Sequence, residues 1–380
     1  MVFGTVAGPA VGILASTLIE RFDLTRADIG RLAALYALVG AAVSPLTGRL
    51  ADRLGGRRMM AATFLGGAVT FAAYATAGGA AMLLVAAALS GIPNGTGNQA
   101  TNRLIATTLP VTQRGLVTGV KQSGVQLGRF LAGMILPTTV AAWGLGASYT
   151  ALAVLALAGA AVTLRLLPAD APAASPGAGA AAPAQRLPAA VWWLAGYAFL
   201  LGAVAGATSA FTALFAEQEV GFTRGQAGFM VGLTGGAAVV SRIALSRVAQ
   251  RVAHYGPALA WIAFGSALSI ALTAASPGLG RWALWAGTVG VAVTVGSWNS
   301  VAMLGAMASV PLAQAGRSSG RVMVGFLGGL GLAPPLFGAA VDRSGSYPWA
   351  WTVLAGLCTI AATAMVAWRL LDRRSAPAVG

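Results

Sequence analysis

The sequence predicts an all-α membrane protein with two lobes of six spanning helices each. Three observations predict it. Only 9% of the 380 residues are charged and 57% are hydrophobic, where a soluble domain carries roughly a quarter charged residues. Apolar runs recur from end to end, each long enough for the ~20 residues that cross a bilayer as a helix. The second half of the chain also repeats the first. Gly95, Asn98 and Pro110 return as Gly296, Asn299 and Pro311, and Gly115, Gly119, Gly124 and Gly128 as Gly316, Gly320, Gly325 and Gly329. Thr25, Arg26 and Gly30 return as Thr223, Arg224 and Gly228. Parallel repeats of six helices are related by an axis along the membrane normal.

In the first lobe, helices are expected over residues 1–19, 27–48, 59–77, 80–106, 114–141 and 147–167. The first is short and lacks a Lys or Arg flank, so the natural start is expected upstream. No basic lead marks a signal peptide. The second and third helices flank a charged run, Gly48 to Arg58, which is expected to be a tight loop at the membrane surface. The fourth carries Asn94, Asn98 and Asn102, which share one face at four-residue spacing. The fifth carries Lys121, the only lysine of the chain, and a stripe of Gln122, Gln126 and Arg129.

Residues 168–188 are rich in Pro, Ala and Gly, with Asp170 and Arg186 as their only charges. Such a segment gains little from ordering and reads as a flexible linker between lobes 1–167 and 189–380. The second lobe is expected to hold helices over 190–215, 224–246, 257–275, 281–307, 315–340 and 348–370, followed by a short tail. Arg242 stands one turn before a worn copy of the charged run, Ser246 to Arg251. Asn299 follows Ser297 and Trp298 in the tenth helix, and Arg321 lies in the eleventh. Cys358, the single cysteine, can form no internal disulfide and reads as a small buried hydrophobe.

The net charge is +15, which in a soluble protein would point to nucleic acid. Here the arginines are spread over short loops, so the positive-inside effect accounts for them and no nucleic-acid partner is expected. Arg49, Arg53, Arg57, Arg58, Arg114 and Arg165 all fall on one side. That side is expected to be the cytoplasmic face of the cell inner membrane, with both termini on it. His254 is the only histidine, and no metal-ligand spacing or nucleophile–base pair exists. Neither metal, cofactor nor enzymatic activity is expected.

The run Gly48-Arg49-Leu50-Ala51-Asp52-Arg53-Leu54-Gly55-Gly56-Arg57-Arg58 resembles the loop signature of the major facilitator superfamily, G-x-L-A-D-R-x-G-x-R-R, at every defined position. The resemblance implies a secondary transporter whose lobes rock about a central site. It also implies that helices one, four, seven and ten surround the cavity, with five and eleven at the lobe interface. Gly48, Asp52, Arg53, Gly55, Arg57 and Arg58 would form a conformational latch, Asp52 meeting the start of helix eleven when the inner side closes. Ala87 stands where many members carry an Arg linked to proton coupling. The G-P-x-x-G-G pattern of drug–proton antiporters is replaced by Gly124, Gly128, Gly133 and Pro137.

An ionisable group inside lipid marks a functional site by default. Arg103, Lys121, Arg129, Arg242 and Arg321 fall within the expected helices, and away from the helix ends no Asp or Glu does. Lys121 and Arg321 hold nearly equivalent places in the two lobes and are expected to grip an anion from both sides. Asn94, Asn98, Asn299, Gln122 and Trp298 are expected to bind beside them. Arg129 either lines the cleft or bonds a neighbouring helix. The expected function is transport of a small solute, an organic or inorganic anion, by a monomer in the lipid bilayer, with a coupling proton or counter-anion as a further partner. Efflux of amphipathic drugs or metabolites is the alternative. A non-transporting sensor or scaffold is a remote third.

Overall fold

The computed structural model describes residues 2–108, 110–167, 187–249, 255–310 and 315–375. Residues 168–186 of the expected linker, and His254, lie outside them. All regular structure among the described residues is helical. The first span, α1, is three segments stacked end to end, Val2–Thr5, Ala7–Ile13 and Ala15–Phe22. The N–H groups of Ala10, Leu14 and Leu18 bond to the carbonyls of Val6, Ala10 and Leu14, so the ladder continues across both breaks. α2 (Arg26–Leu54), α3 (Gly56–Ala75) and α4 (Ala80–Thr108) follow. Val111–Leu166 is one helical run bent at Gly144, whose φ of 77° is outside the helical range. Its two arms are α5 (111–143) and α6 (145–166).

The second lobe holds α7 (Ala189–Val220), α8 (Arg224–Ala249), α9 (Tyr255–Leu279), α11 (Ala315–Ser344) and α12 (Tyr347–Ser375). Between α9 and α11 lies α10, which is broken into Arg281–Thr294 and Trp298–Ala308. Among the described residues, seven stretches are long and apolar enough to cross a membrane by themselves. α1 and α10 miss that standard because they are interrupted.

The charged run is helix where a loop was expected. α2 continues through Leu54, α3 begins at Gly56, and Gly55 alone turns the chain with φ 84°. Arg53 sits in the last turn of α2, where a cation complements the helix dipole. The helices run past their expected bounds at both ends, so carboxylates expected outside them fall in helices. Glu20, Asp28, Asp52, Glu217, Glu219 and Asp342 all occupy terminal turns.

The repeat is visible in bonding as well as in sequence. The Thr25 hydroxyl accepts from the Asp28 N–H at 3.1 Å, and the Asp28 carboxylate accepts from the Thr25 N–H at 3.0 Å. This reciprocal cap starts α2. Thr223 and Gln226 exchange the same two bonds at the start of α8, at 3.3 and 3.2 Å. The lobes meet along three helix pairs: α1 with α7, α2 with α11, and α5 with α8. Glycine permits the close approach. A β-carbon at Gly12 of α1 would collide with the Ser209 carbonyl of α7.

Candidate functional site

A cavity of about 300 Å³ lies between the lobes. α1 contributes Thr5 and Pro9, and α2 contributes Tyr36. Val125, Gln126 and Arg129 come from α5, Thr208, Ser209 and Thr212 from α7, and Thr234 from α8. The break in α10 supplies Val295, Gly296, Trp298 and Asn299, and α11 adds Met323, Phe326 and Leu330. The break is anchored by the Ser297 hydroxyl, which donates to the Ser241 hydroxyl of α8 at 3.0 Å. It turns Trp298 onto Phe326, with ring centroids 4.8 Å apart, to make an aromatic wall.

Arg129 is the charged group of this wall. It sits where α5 crosses α8, and its β-carbon lies 3.5 Å from the point where a side chain at Gly235 would begin. Its Nε is buried and has no hydrogen-bond partner. Among the described residues, no carboxylate lines the cavity. Arginine does not shed its proton in a protein, so the charge stays and is costly to bury alone. Asn299 Oδ1 is likewise buried and unpartnered.

The hydroxyls leave the donor role to these groups. Thr208, Thr212, Thr234, Thr273 and Thr288 each donate to a carbonyl of their own helix. Tyr36 Oη donates to the Thr5 carbonyl at 3.2 Å. Donors for a solute include the Arg129 guanidinium and the amides of Gln126 and Asn299.

Of the residues expected to bind solute, Asn299 and Trp298 line the cavity; Lys121, Arg321, Asn94 and Asn98 do not. Lys121 Nζ donates to Asn98 Oδ1 at 2.7 Å and to Asn102 Oδ1, tying α5 to α4. It lies eight residues before Arg129, roughly 12 Å along the helix. The Asn94 amide nitrogen packs against Gly40 of α2, 2.7 Å from the place of a β-carbon there. The Gln122 side chain lies outside the described part. Arg321 is displaced most. It stands one residue from the repeat position of Lys121, and one residue on a helix is a rotation of roughly 100°. Val322 takes the buried position, while Arg321 is exposed and stacks on Trp192.

The latch residues divide in a similar way. The Asp52 side chain lies outside the described part. Arg57 donates to the Leu164 carbonyl at the end of α6, within its own lobe. Arg53 and Arg58 are exposed, and Gly48 faces Gln99 of α4.

Cross-lobe polar contacts gather at the end opposite the charged run. Arg26 of α2 pairs with Asp342 of α11 at 3.5 Å and donates to Gln218 of α7 at 2.8 Å. Arg224 of α8 pairs with Glu20 of α1. Its Nε stands 3.9 Å from Glu217, whose other oxygen is buried and unpartnered. The repeat thus places an arginine on each side of this gate. Exposed pairs are worth about 0–1 kcal/mol each. With two such partners, Arg224→Ala is therefore expected to speed maleimide labelling of a cysteine at Gln218 by no more than about thirtyfold. Cys358 is buried, so native labelling gives little background. A change of a hundredfold would show that the pairs, rather than the helix seams, hold this end shut.

The family model of the Major Facilitator Superfamily matches residues 1–320. The Probable nitrate/nitrite transporter NarK2 of Mycobacterium tuberculosis is 31% identical over 377 residues, covering 94% of this chain and 89% of its own. A mutant of the nucleoside transporter NupG has the same fold, with TM-score 0.79, 16% identity and 96% coverage of both chains. So does a mutant of the peptide transporter POT in complex with sulfate, with TM-score 0.80, 12% identity, and coverage of 97% of this chain and 92% of that one. With these matches, a helical two-lobed architecture and the charged signature between α2 and α3, the chain belongs to the major facilitator superfamily of membrane transporters.

Proposed function

We propose that the protein carries a small anion across the membrane by alternating access, with Arg129 holding the charge. The observation that supports this reading is the unpaired guanidinium in a cavity without a carboxylate. An anion would complete the site, whereas a cation would meet repulsion. Asn299 and Gln126 would orient the solute by hydrogen bonds, and the Trp298–Phe326 wall would exclude water. The relative named for nitrate and nitrite supports an oxyanion as the first solute to try. The size of the cavity argues the same way: about 300 Å³ is the lower limit of ordinary ligand pockets, small for an amphipathic drug. Lys121, with its two amide acceptors, would be a contact on the way to the cavity. The charged-run end would face the cytoplasm of the cell inner membrane, with both chain ends on that side. A monomer suffices, since the cavity is built by one chain.

The test is uptake of nitrate, nitrite, formate and a neutral analogue such as urea into proteoliposomes, together with thermal shift. A bound solute raises the melting temperature by mass action. At least one anion is expected to stabilise the protein and be taken up, and urea to do neither. Stabilisation by amphipathic cations with no response to any anion would replace this reading with drug efflux.

A further inference from the structure

We propose that the groove between α7 and α12 holds an anionic phospholipid, its acyl chain lying along α7 and its phosphate on Arg321 of α11. The register of α11 separates two faces. Met323, Phe326 and Leu330 point into the central cavity. Arg321 shares the opposite side with Val324, Leu332 and Leu336, which are 63%, 49% and 69% exposed. In a spanning helix, that exposed apolar side faces hydrocarbon. Beside it lies a groove of about 610 Å³, lined by Trp192, Trp193, Gly196, Phe199 and Leu200 of α7 and by Ala364 of α12. Among the described residues, no charged one lines it. Trp192 and Phe199 are 54% and 40% exposed, although α7 is otherwise the most buried of the spans.

The groove has a charged end. The Arg321 guanidinium carbon lies 4.7 Å above the Trp192 ring. Stacking occupies the face of the planar group and leaves its N–H edge free, the edge that fits phosphate. Arg321 makes no hydrogen bond or ion pair with any described residue. Trp192 stands in the first turn of α7 and Arg321 in the second turn of α11, which is the depth of interfacial aromatic residues and of arginines that reach toward headgroups. An apolar trough with one cation at headgroup level matches one phosphate and one acyl chain. With no carboxylate in the groove, nothing would hold the ammonium of a zwitterionic headgroup, so a net anionic lipid is preferred. Such a lipid would rest on α7 and α11, the helices that carry Thr208 and Phe326 on their cavity sides.

The experiment is native mass spectrometry of the purified protein with dioleoylphosphatidylglycerol or dioleoylphosphatidylcholine at equal concentration. The wild type is expected to retain the anionic lipid about fivefold better, the fold-change that one cation near a lipid surface supplies. Arg321→Gln is expected to lose that preference. Gly196→Leu is expected to lose both lipids with Arg321 intact, because a β-carbon there meets nothing within 4 Å and so fills the groove without disturbing the fold. Glycerol 3-phosphate, a headgroup without a chain, is expected not to compete. Equal retention of both lipids by the wild type, a preference kept by Arg321→Gln, undiminished binding by Gly196→Leu, or displacement by glycerol phosphate would each overturn the proposal.

Discussion

Replacing Arg129 with Gln is expected to weaken anion binding at least a hundredfold and to leave the empty protein as stable as the wild type or more so. The two effects have one cause. A hydrogen bond to a charged group is worth about 1.5–3 kcal/mol, and an anion in the cavity would accept at least two from the guanidinium. Each 1.4 kcal/mol is about a factor of ten in affinity, so losing two such bonds removes two or more powers of ten. In the empty protein the same guanidinium is a buried charge without a counter-charge, an arrangement that is costly in itself. The neutral amide relieves that cost. Arg129→Lys should recover part of the binding, because an ammonium keeps the charge but loses the planar fork. The measurements are calorimetric titration with the transported anion and melting temperature without it. A variant that melts earlier and transports normally would make Arg129 a structural residue and remove the basis of the anion reading.

Lys121→Gln gives the contrasting result. Lys121 already donates to Asn98 and Asn102, so its charge is better solvated by the protein than that of Arg129. Its removal is expected to slow transport less than the removal of Arg129. The contrast also shows what the sequence could reveal. Position inside an apolar run placed both cations within helices, and repeat spacing paired Lys121 with Arg321. Charge and depth do not specify rotation about a helix axis, and one residue of offset put Arg321 on the exposed side of α11. Arg129 was legible as part of a polar stripe with Gln126, but nothing local decided whether the stripe met solute or a neighbouring helix. In the structure Gln126 and Arg129 line the cavity where α5 crosses Gly235 of α8, a residue distant in sequence.

Other features of the site were hidden for different reasons. Tyr36, Thr208 and Thr212 line the cavity, yet hydroxyls inside membrane helices usually satisfy themselves on their own backbone, as those of both threonines do here. The spacing of Thr208, Ser209 and Thr212 in an otherwise apolar helix was the one available signal. Asn299 and Trp298 were legible because the repeat marked Asn299 with a partner, Asn98. Most of the spans were legible because hydropathy specifies them. Their ends were not, since a charged turn such as Arg49–Arg53 can continue a helix into water as readily as end it.

The same repeat leads to a result at the lobe seams: Gly133→Leu is expected to let the protein fold and insert but to reduce transport at least tenfold. Gly133 of α5 lies against α8 of the other lobe. A β-carbon there would meet the Gly228 carbonyl and come within 2.6 Å of the Gly232 backbone. Backbone atoms in a packed helix cannot step aside as a side chain can. Gly228 in turn approaches the Pro137 ring at 2.5 Å from its β-carbon position. Its repeat partner, Gly30 of α2, presses in the same manner on Pro334 and Pro335 of α11. Two seams related by the pseudo-two-fold axis therefore close on the same pairing of a glycine with a proline-bearing helix. The contacts named for Gly133 cross between lobes, so each six-helix lobe keeps its own packing when the seam is forced apart. Overpacking of this kind typically costs about 1–3 kcal/mol, enough to move a two-state balance by about five- to 150-fold. The state shut at the Arg26–Arg224 end would be depleted, and a cysteine at Ser209, beneath that gate, should react faster with an impermeant maleimide. Gly236→Leu on α8 is the control, since nothing lies within 4 Å of its β-carbon position. If Gly133→Leu transports like the wild type while remaining folded, the α5–α8 seam is not part of the moving gate and the lobes must alternate about another contact.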